Sequence, residues 1–185
     1  MIRFFDILIS SLILIFFTPI IIVIAILIFF IDGRPIIYKQ IRIGINGNKF
    51  KILKFRTMNK IVFKNEELRL SSLGKFLRRT SLDEIPQFIN IIRKDMSIVG
   101  PRPLPVDIEK KIKKSIRFKR RKVLPGITGL SQINFTGKSR KLDDKIKLDI
   151  KLIENYNLKN YFKVIMNTPF ILIIRFFKNK TSIIK

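Results

Sequence analysis

Two adjacent acidic residues, Asp83 and Glu84, are the side chains in this sequence best suited to chemistry. They lie in the stretch RRTSLDEIPQF, in a chain with 38 Lys and Arg residues against 13 Asp and Glu residues. The chain has no His and no Cys, which excludes histidine-based triads, thiol nucleophiles and zinc–thiolate sites within it. Acid–base, nucleophilic or metal chemistry therefore falls mainly to carboxylates, lysines and hydroxyl groups.

The acid pair has a structural and a catalytic interpretation. Ser81 followed by Glu84 fits a capping box that begins a helix over residues 81–95, where acidic side chains interact well with the helix dipole. In the catalytic interpretation, the two arginines just upstream and the helix N-terminus lower the pKa of Asp83, which then stays ionised. Such a carboxylate can bind a magnesium ion or attack phosphorus.

Basic side chains on stiff backbone segments could bind the phosphates of a substrate. In KFRTM, Lys54 and Arg56 alternate with a phenylalanine, which predicts a strand with a basic face; a plain solvated edge is the alternative. In GPRP, the prolines nearly fix the backbone at Arg102, whose guanidinium could hold phosphate through two hydrogen bonds. A structural turn with a solvent-facing arginine is the alternative there.

Charge and hydropathy together indicate a membrane surface as partner. The net charge is +25, yet the mean hydropathy is positive at +0.20, which excludes a disordered basic tail. Residues 7–31 carry no charge and would be about 37 Å long as one helix, enough to cross a bilayer core. Thr18 and Pro19 interrupt this segment, which predicts either a kinked single-pass anchor or a re-entrant hairpin.

Hydrophobic patterning and turn signals predict an α/β, mostly helical fold. A short β-hairpin is expected over 35–58 around Asn46-Gly47. The other expected elements are a short helix within 68–79, a polar loop over 59–67, and helices over 107–122, 141–156 and 160–177, the last interrupted by Pro169 and interfacial. The predicted domains are a membrane re-entrant helix (1–34), a catalytic domain (35–158) and a C-terminal membrane-associated helix with a basic tail (159–185).

Three stretches resemble the bacterial sugar transferase family, the monotopic phosphoglycosyl transferases that begin lipid-linked glycan assembly. They are QIRIGINGNKFKILKFRTM, RRTSLDEIPQFINIIRKDMSIVGPRPL and LPGITGLSQIN. The resemblance extends to about residue 158, and the length is similar to that of the minimal catalytic form. It implies a membrane-embedded enzyme that moves a phospho-sugar from a UDP-sugar to polyprenol phosphate, usually undecaprenyl phosphate, with Mg²⁺ and a ping-pong route.

The resemblance also implies a role for individual residues. The aspartate that matches Asp83 attacks the β-phosphate and releases UMP, after which polyprenol phosphate attacks the aspartyl phospho-sugar. Glu84 matches the second acid of the pair, which is associated with metal binding or proton transfer. Basic positions associated with substrate phosphates match Lys54, Arg78 and Arg102.

Membrane topology follows from the same resemblance. Thr18-Pro19 matches the break that makes the N-terminal helix re-entrant and keeps both of its ends cytoplasmic, and residues 160–177 look like the family's C-terminal membrane-associated helix. The implied location is the cytoplasmic face of the bacterial inner membrane, with anionic lipid as a further partner and a homodimer as an option.

The sequence departs from the family pattern around the PGITG motif. Leu124 and Leu130 flank the motif where many members have Arg and Trp. The Asn-Gly-Arg that usually follows is replaced by Asn134-Phe-Thr, and Lys138 or Arg140 is the expected replacement for its arginine. Lys138 is therefore included among the predicted phosphate-binding residues.

Two further functions remain open from the residues alone. The first is a membrane-tethered nucleic-acid-binding protein, supported by the net charge and by the run KKIKKSIRFKRRK. That run holds one aromatic residue, Phe118, so it offers little for stacking bases. The second is an inactive scaffold of a glycan assembly complex, against which the intact Asp83 and Glu84 argue.

Overall fold

The computed structural model of the chain describes residues 1–58, 70–134 and 141–177. Within these ranges it is a mostly helical α/β fold with a long apolar N-terminal helix and small two-stranded sheets. The elements, in chain order, are α1 (Ile2–Ile31), β1 (Ile37–Ile43), β2 (Lys49–Phe55), α2 (Ser72–Thr80), α3 (Gln87–Ile92), β3 (Ser97–Val99), α4 (Val106–Lys110), α5 (Lys114–Arg120), β4 (Gly126–Thr128), α6 (Leu130–Ile133), α7 (Leu142–Glu154) and α8 (Leu158–Phe177). The polar loop expected over 59–67 lies outside the described residues.

The predicted β-hairpin is confirmed. Strands β1 and β2 pair antiparallel, with Tyr38 opposite Lys54 and Arg42 opposite Phe50. The connecting turn places Asn46 at φ 54° and Gly47 at φ 84°, the left-handed region that Asn and Gly adopt at low cost. The hairpin therefore carries Lys54 to a fixed position opposite β1.

A second, parallel pair of strands brings two glycine-bearing motifs into contact. Strand β3 pairs with β4, and the backbone N–H of Gly100 donates to the carbonyl of Thr128 at 3.0 Å. A Cβ atom on Gly126 would collide with the backbone of Gly100. The two backbone segments therefore approach this closely only because both residues are glycine. This contact sets the GPRP turn beside the PGITG motif.

Both ends of α1 pack against the rest of the protein. Near the N-terminus of α1, Phe5 and Ile9 pack against a cluster formed mainly by β2, α3, β3, α7 and α8. Near its C-terminus, Ile24 and Ile28 are buried against β2 and α2. The residues between, 11–23, include no buried side chain. Among the described helices, α1 alone is long and apolar enough to cross a membrane.

The helix predicted over 81–95 is wrong in its first half. Ser81 has φ 59° and ends α2, and its side chain makes no capping hydrogen bond. A 3₁₀ turn over Leu82–Glu84 follows, and α3 begins only after Pro86. The reason is Pro86 itself: in a helix that began at residue 82, its ring would clash with the carbonyl of Leu82.

The single helix predicted over 107–122 is divided into α4 and α5. Four lysines, at positions 110, 111, 113 and 114, would stand three and four residues apart in one continuous helix. Like charges at these spacings repel one another weakly, and the chain turns at residues 111–113. The helix expected over 141–156 is confirmed as α7.

Two Thr-Pro pairs lie inside the two longest helices without ending them. Helix α1 continues through Pro19, and α8 continues through Pro169, where an interruption was expected. The hydroxyl of Thr18 donates to the carbonyl of Leu14 at 2.7 Å, and that of Thr168 makes the corresponding bond to Val164 at 2.8 Å. A threonine before proline can bend a helix by this bond while keeping the helix intact.

Candidate active site

The acid pair is presented by the 3₁₀ turn that follows α2. Ser81 ends α2 with its positive φ, and Asp83 in the turn that follows is only 7% exposed. Glu84 lies at the edge of the same turn and is half-buried. The adjacent acids thus differ in burial, although the sequence makes them look equivalent.

Lys54 bridges the hairpin to the acid pair. Its ammonium nitrogen Nζ lies 2.5 Å from Oε1 of Glu84 and 3.9 Å from Oδ2 of Asp83. The lysine therefore makes a direct charge-assisted hydrogen bond to Glu84 and acts on Asp83 mainly through its charge. The structure thus places Lys54, a predicted phosphate-binding residue, beside the acid pair.

The expectation that the pKa of Asp83 is lowered is wrong. Burial and, after it, the negative charge of Glu84 raise the pKa of Asp83 to about 6. Lys54, Arg78 and the residue's own backbone N–H act in the opposite direction but do not overcome the loss of water. At pH 7 roughly nine in ten of these carboxylates are still ionised, as a pKa of about 6 requires.

Arg78 approaches Asp83 from α2. Its Nε donates to the hydroxyl of Thr57 at 2.8 Å, and its charge lowers the pKa of Asp83. Gly74 of the same helix lies directly against the backbone of Thr57, where a side chain would not fit. Thr57, the threonine of KFRTM, therefore positions an arginine beside the nucleophile candidate, a role that sequence reasoning missed.

Arg102 stands on the GPRP turn, and its side chain is exposed. The neighbouring strand β1 contributes Arg42, a residue that sequence reasoning did not select. Burial and the positive charge of Arg102 lower the pKa of Arg42, while Tyr38 and Glu84 raise it, which puts Arg42, Arg102 and Glu84 in one region. The signal was the strand period: Arg42 lies on the same face of the hairpin as Lys54.

Arg56 does not join the acid pair, contrary to its predicted role in phosphate binding. It is 6% exposed, and its Nη2 donates to the carbonyl oxygens of Asp32 and Gly33. These carbonyls lie just beyond the C-terminus of α1, where a cation is favoured by the helix dipole. Period-two alternation alone could not show this, because β2 ends at residue 55 and Arg56 leaves the strand face.

Comparison with known proteins identifies the family. The model of the bacterial sugar transferase family matches residues 1–175. This chain belongs to the bacterial sugar transferase family. The family resemblance of the motifs around Lys54, Asp83 and Arg102 is thereby confirmed.

Relatives share this segment at 35–39% identity. A UDP-glucose:undecaprenyl-phosphate glucose-1-phosphate transferase of Klebsiella pneumoniae is 39% identical over 91% of this chain and 39% of its own length. Galactosyl transferase CpsE of Streptococcus agalactiae is 37% identical over 74% of this chain and 34% of its own length. The exopolysaccharide production protein ExoY of Rhizobium meliloti is 35% identical over 84% and 78%.

For this sugar transferase the donor set at the acid pair fits a metal only in part. Among residues 1–58, 70–134 and 141–177, no group of three carboxylates comes together that could hold an ion by itself. Mg²⁺ commonly binds through one or two carboxylates together with substrate phosphates, and Asp83 with Glu84 supplies such a pair. The mutual repulsion of the two acids is also what a cation would relieve.

The position of Lys138 cannot be compared with this site, since residues 135–140 lie outside the described part of the chain. Asn134, which precedes them, ends α6 and is exposed. The predicted phosphate-binding role of Lys138 therefore stays a prediction.

Proposed function

We propose that this sugar transferase moves a sugar-1-phosphate from a UDP-sugar to undecaprenyl or another polyprenol phosphate. The observation that carries the proposal is Asp83: a buried carboxylate with a raised pKa, flanked by Lys54 and Arg78. The chain spans about two-fifths of the length of the Klebsiella pneumoniae relative, whose name states this type of reaction. The family and the electrostatics of the site thus support the same chemistry.

The proposed reaction has two displacements at one phosphorus atom. In the first, a carboxylate oxygen of Asp83 forms a bond to the β-phosphorus of the UDP-sugar while the bond from that phosphorus to the bridging oxygen breaks. UMP leaves with the electron pair. In the second, an oxygen of the polyprenol phosphate attacks the same phosphorus, and Asp83 leaves as a free carboxylate.

The site suits the first displacement for a physical reason. A desolvated carboxylate is more basic than one in water and so attacks phosphorus more readily. Glu84 engages Lys54 at 2.5 Å, while the distance from Lys54 to Asp83 is 3.9 Å, so the nucleophile is not held in a close ion pair. A Mg²⁺ ion at the acid pair would neutralise charge on the donor diphosphate. Arg78 and Arg102 would then hold the phosphate oxygens that carry the remaining charge.

The membrane arrangement proposed here is a re-entrant helix on the cytoplasmic face of the inner membrane. Both ends of α1 contact the same catalytic domain, whereas residues 11–23 are unburied. A helix that ended on the opposite side of the bilayer could not pack both ends in this way. We expect the Thr18-Pro19 pair to bend the helix within the membrane, and the charge of +25 favours anionic lipid.

Intact-protein mass spectrometry tests the reaction directly. The purified chain is incubated with Mg²⁺ and a panel of UDP-sugars, without a lipid acceptor. We expect an added mass of one phospho-sugar with at least one donor, and none in Asp83→Asn. Asp143→Asn, an exposed acid on α7, is the matched control and should form the adduct. An unmodified wild-type chain with every donor, and no UMP, would favour the inactive-scaffold function.

Cysteine labelling tests the membrane arrangement. Because the chain has no Cys, single cysteines can be placed in a short N-terminal extension and at the exposed position Arg34. In intact cells we expect a membrane-impermeant maleimide to label neither site, and in inverted vesicles to label both. Labelling of the N-terminal cysteine from outside the cell would show that α1 spans the membrane.

A further inference from the structure

A buried ionic network lies behind the GPRP turn. Arg120, at the end of α5, is 5% exposed, and its Nη1 and Nη2 contact Glu109 of α4 at 3.1 Å and Asp149 of α7 at 3.0 Å. Glu109 and Asp149 are themselves 4% and 2% exposed. Replacing such a buried ionic group by apolar side chains is often neutral or stabilising, so its presence here calls for a role beyond stability.

The network ends on the backbone of a predicted phosphate-binding residue. Nη2 of Arg120 also donates to the carbonyl oxygen of Arg102 at 2.7 Å. The side chain of Arg102, by contrast, is exposed and makes no hydrogen bond or ion pair with another residue of the described ranges. The backbone of Arg102 is therefore held, while its guanidinium is available to a ligand.

The turn is held through its carbonyl groups, one after another. The carbonyl of Pro101 accepts from the backbone N–H of Gly126 at 3.0 Å. That of Pro103 accepts from Nη1 of Arg42 at 3.3 Å, and that of Leu104 from the N–H of Ile43 at 3.3 Å. Of the four residues 101–104, two are prolines without an N–H, so accepting a hydrogen bond at the carbonyl is their backbone means of attachment. At Arg102 the carbonyl is held by Arg120, and the backbone N–H also donates to the carboxylate of Asp149.

We propose that Arg120 is a positioning residue for phosphate binding, which acts by fixing the backbone of Arg102. Glu109 and Asp149 hold the guanidinium of Arg120 in the plane and position from which it reaches the turn. A planar group with several fixed donors can contact three oxygens at once, which a lysine ammonium on a flexible stem does not reproduce. This inference rests on the function proposed above, and it adds a residue with no direct substrate contact.

Steady-state kinetics of the full-length chain test this role, with the UDP-sugar that forms the adduct. The variants are Arg120→Lys, Arg102→Ala and the double variant. We expect Arg120→Lys to raise the KM for the donor about tenfold with a smaller change in kcat, as expected when a binding group is misplaced. In the Arg102→Ala background, Arg120→Lys should cause no further change, because the group it positions is absent.

A matched control is available in the next residue. Arg121 contacts the same Glu109, at 3.2 Å, but does not contact the carbonyl of Arg102. Arg121→Lys should therefore leave the KM unchanged. If Arg121→Lys raised the KM as much as Arg120→Lys does, the proposal would be overturned. It would also be overturned if the KM increases of Arg102→Ala and Arg120→Lys multiplied in the double variant.

Two outcomes separate this proposal from the proposed function. If the wild-type chain forms no adduct, the function fails first. If it does, and Arg102→Ala has wild-type KM, the positioning role alone is overturned. Should Arg120→Lys not fold, Glu109→Gln provides a milder change that keeps an acceptor 3.1 Å from Arg120. It should raise the KM less than Arg120→Lys does, and only when Arg102 is present. If its effect on the KM multiplied that of Arg102→Ala, the proposal would be contradicted.

Discussion

Two of the buried aspartates, Asp6 and Asp83, have opposite surroundings. Asp6, in α1, is 1% exposed, and its Oδ1 accepts hydrogen bonds from Ser97 Oγ, Ile98 N and Tyr161 Oη at 2.8–2.9 Å. Asp83 is 7% exposed, and its ion pair with Lys54 is 3.9 Å long. One carboxylate is surrounded by donors, and the other has lost water without equal replacement.

The difference separates a structural acid from the proposed nucleophile. Arg3, 3.8 Å from Asp6, also donates to the carbonyl groups of Ile91, Ile92 and Met96, so the N-terminus of α1 is tied to the core through Asp6 and its neighbour. Three hydrogen bonds and a nearby arginine stabilise the negative charge of the Asp6 carboxylate, which makes it a weaker nucleophile. An incompletely compensated carboxylate such as Asp83 is costly for the fold, and such groups are concentrated at functional sites.

The largest expected effect comes from Asp83→Asn. Adduct formation and transfer should fall by at least about 10⁴-fold, since an amide cannot act as the nucleophile. A measurable adduct in this variant would remove Asp83 from the proposed reaction.

The same variant should increase stability. The pKa of Asp83 is raised above its unfolded value of 3.8 to about 6, so the folded state holds this proton more tightly than the unfolded chain. The ionised group therefore lowers the free energy of unfolding by up to about 3 kcal/mol at pH above 6, a cost that disappears below pH 4. Denaturant unfolding of the wild-type chain and Asp83→Asn at pH 7.5 measures this difference in the free energy of unfolding. A less stable Asp83→Asn would contradict the comparison.

Asp6→Asn should have the opposite signature. The amide loses the charge that strengthens three hydrogen bonds and the interaction with Arg3, so the free energy of unfolding should fall by about 2–3 kcal/mol. Activity per folded molecule should be kept. Thermal unfolding together with adduct formation at low temperature checks both statements. Loss of adduct formation in well-folded protein would assign Asp6 to the chemistry as well.

The pH dependence of adduct formation should report Asp83. Because the carboxylate must be ionised to attack, the rate at low donor concentration should fall about tenfold per pH unit below pH 6. In Glu84→Gln this fall in rate should occur at lower pH, since the repulsion that raises the pKa of Asp83 is removed. If the rate of Glu84→Gln fell at the same pH as that of the wild-type chain, a different group would be titrating.

Arg56→Lys should have the smallest effect. The lysine keeps the charge but not the two contacts to the carbonyls of Asp32 and Gly33, so we expect stability to fall by about 1 kcal/mol. The KM for the UDP-sugar should not change, because Arg56 is buried away from the acid pair. A large KM increase with normal stability would restore its predicted role in phosphate binding.

Several elements could be predicted because their signals are local. Asn46-Gly47 determines the turn of the hairpin through its backbone preferences, and the uncharged run of residues 7–31 determines a long apolar helix. The acid pair was found by exclusion, since the chain offers neither His nor Cys. One prediction from a local signal was wrong. The capping box expected at Ser81 does not form, because Pro86, a few residues later, prevents a helix from beginning there.

What only the tertiary structure decided is the environment of each charge. The sequence placed Asp83 among cations and so predicted a lowered pKa, whereas burial by the hairpin and α2 raises it. It also gave equal weight to Lys54 and Arg56, and it gave no sign that Arg120 reaches the turn at Arg102. Backbone preferences and periodicity depend on neighbours in the chain and can be read from the sequence. Desolvation and long-range ion pairs depend on which distant segments pack together, and they exist only after the chain has folded.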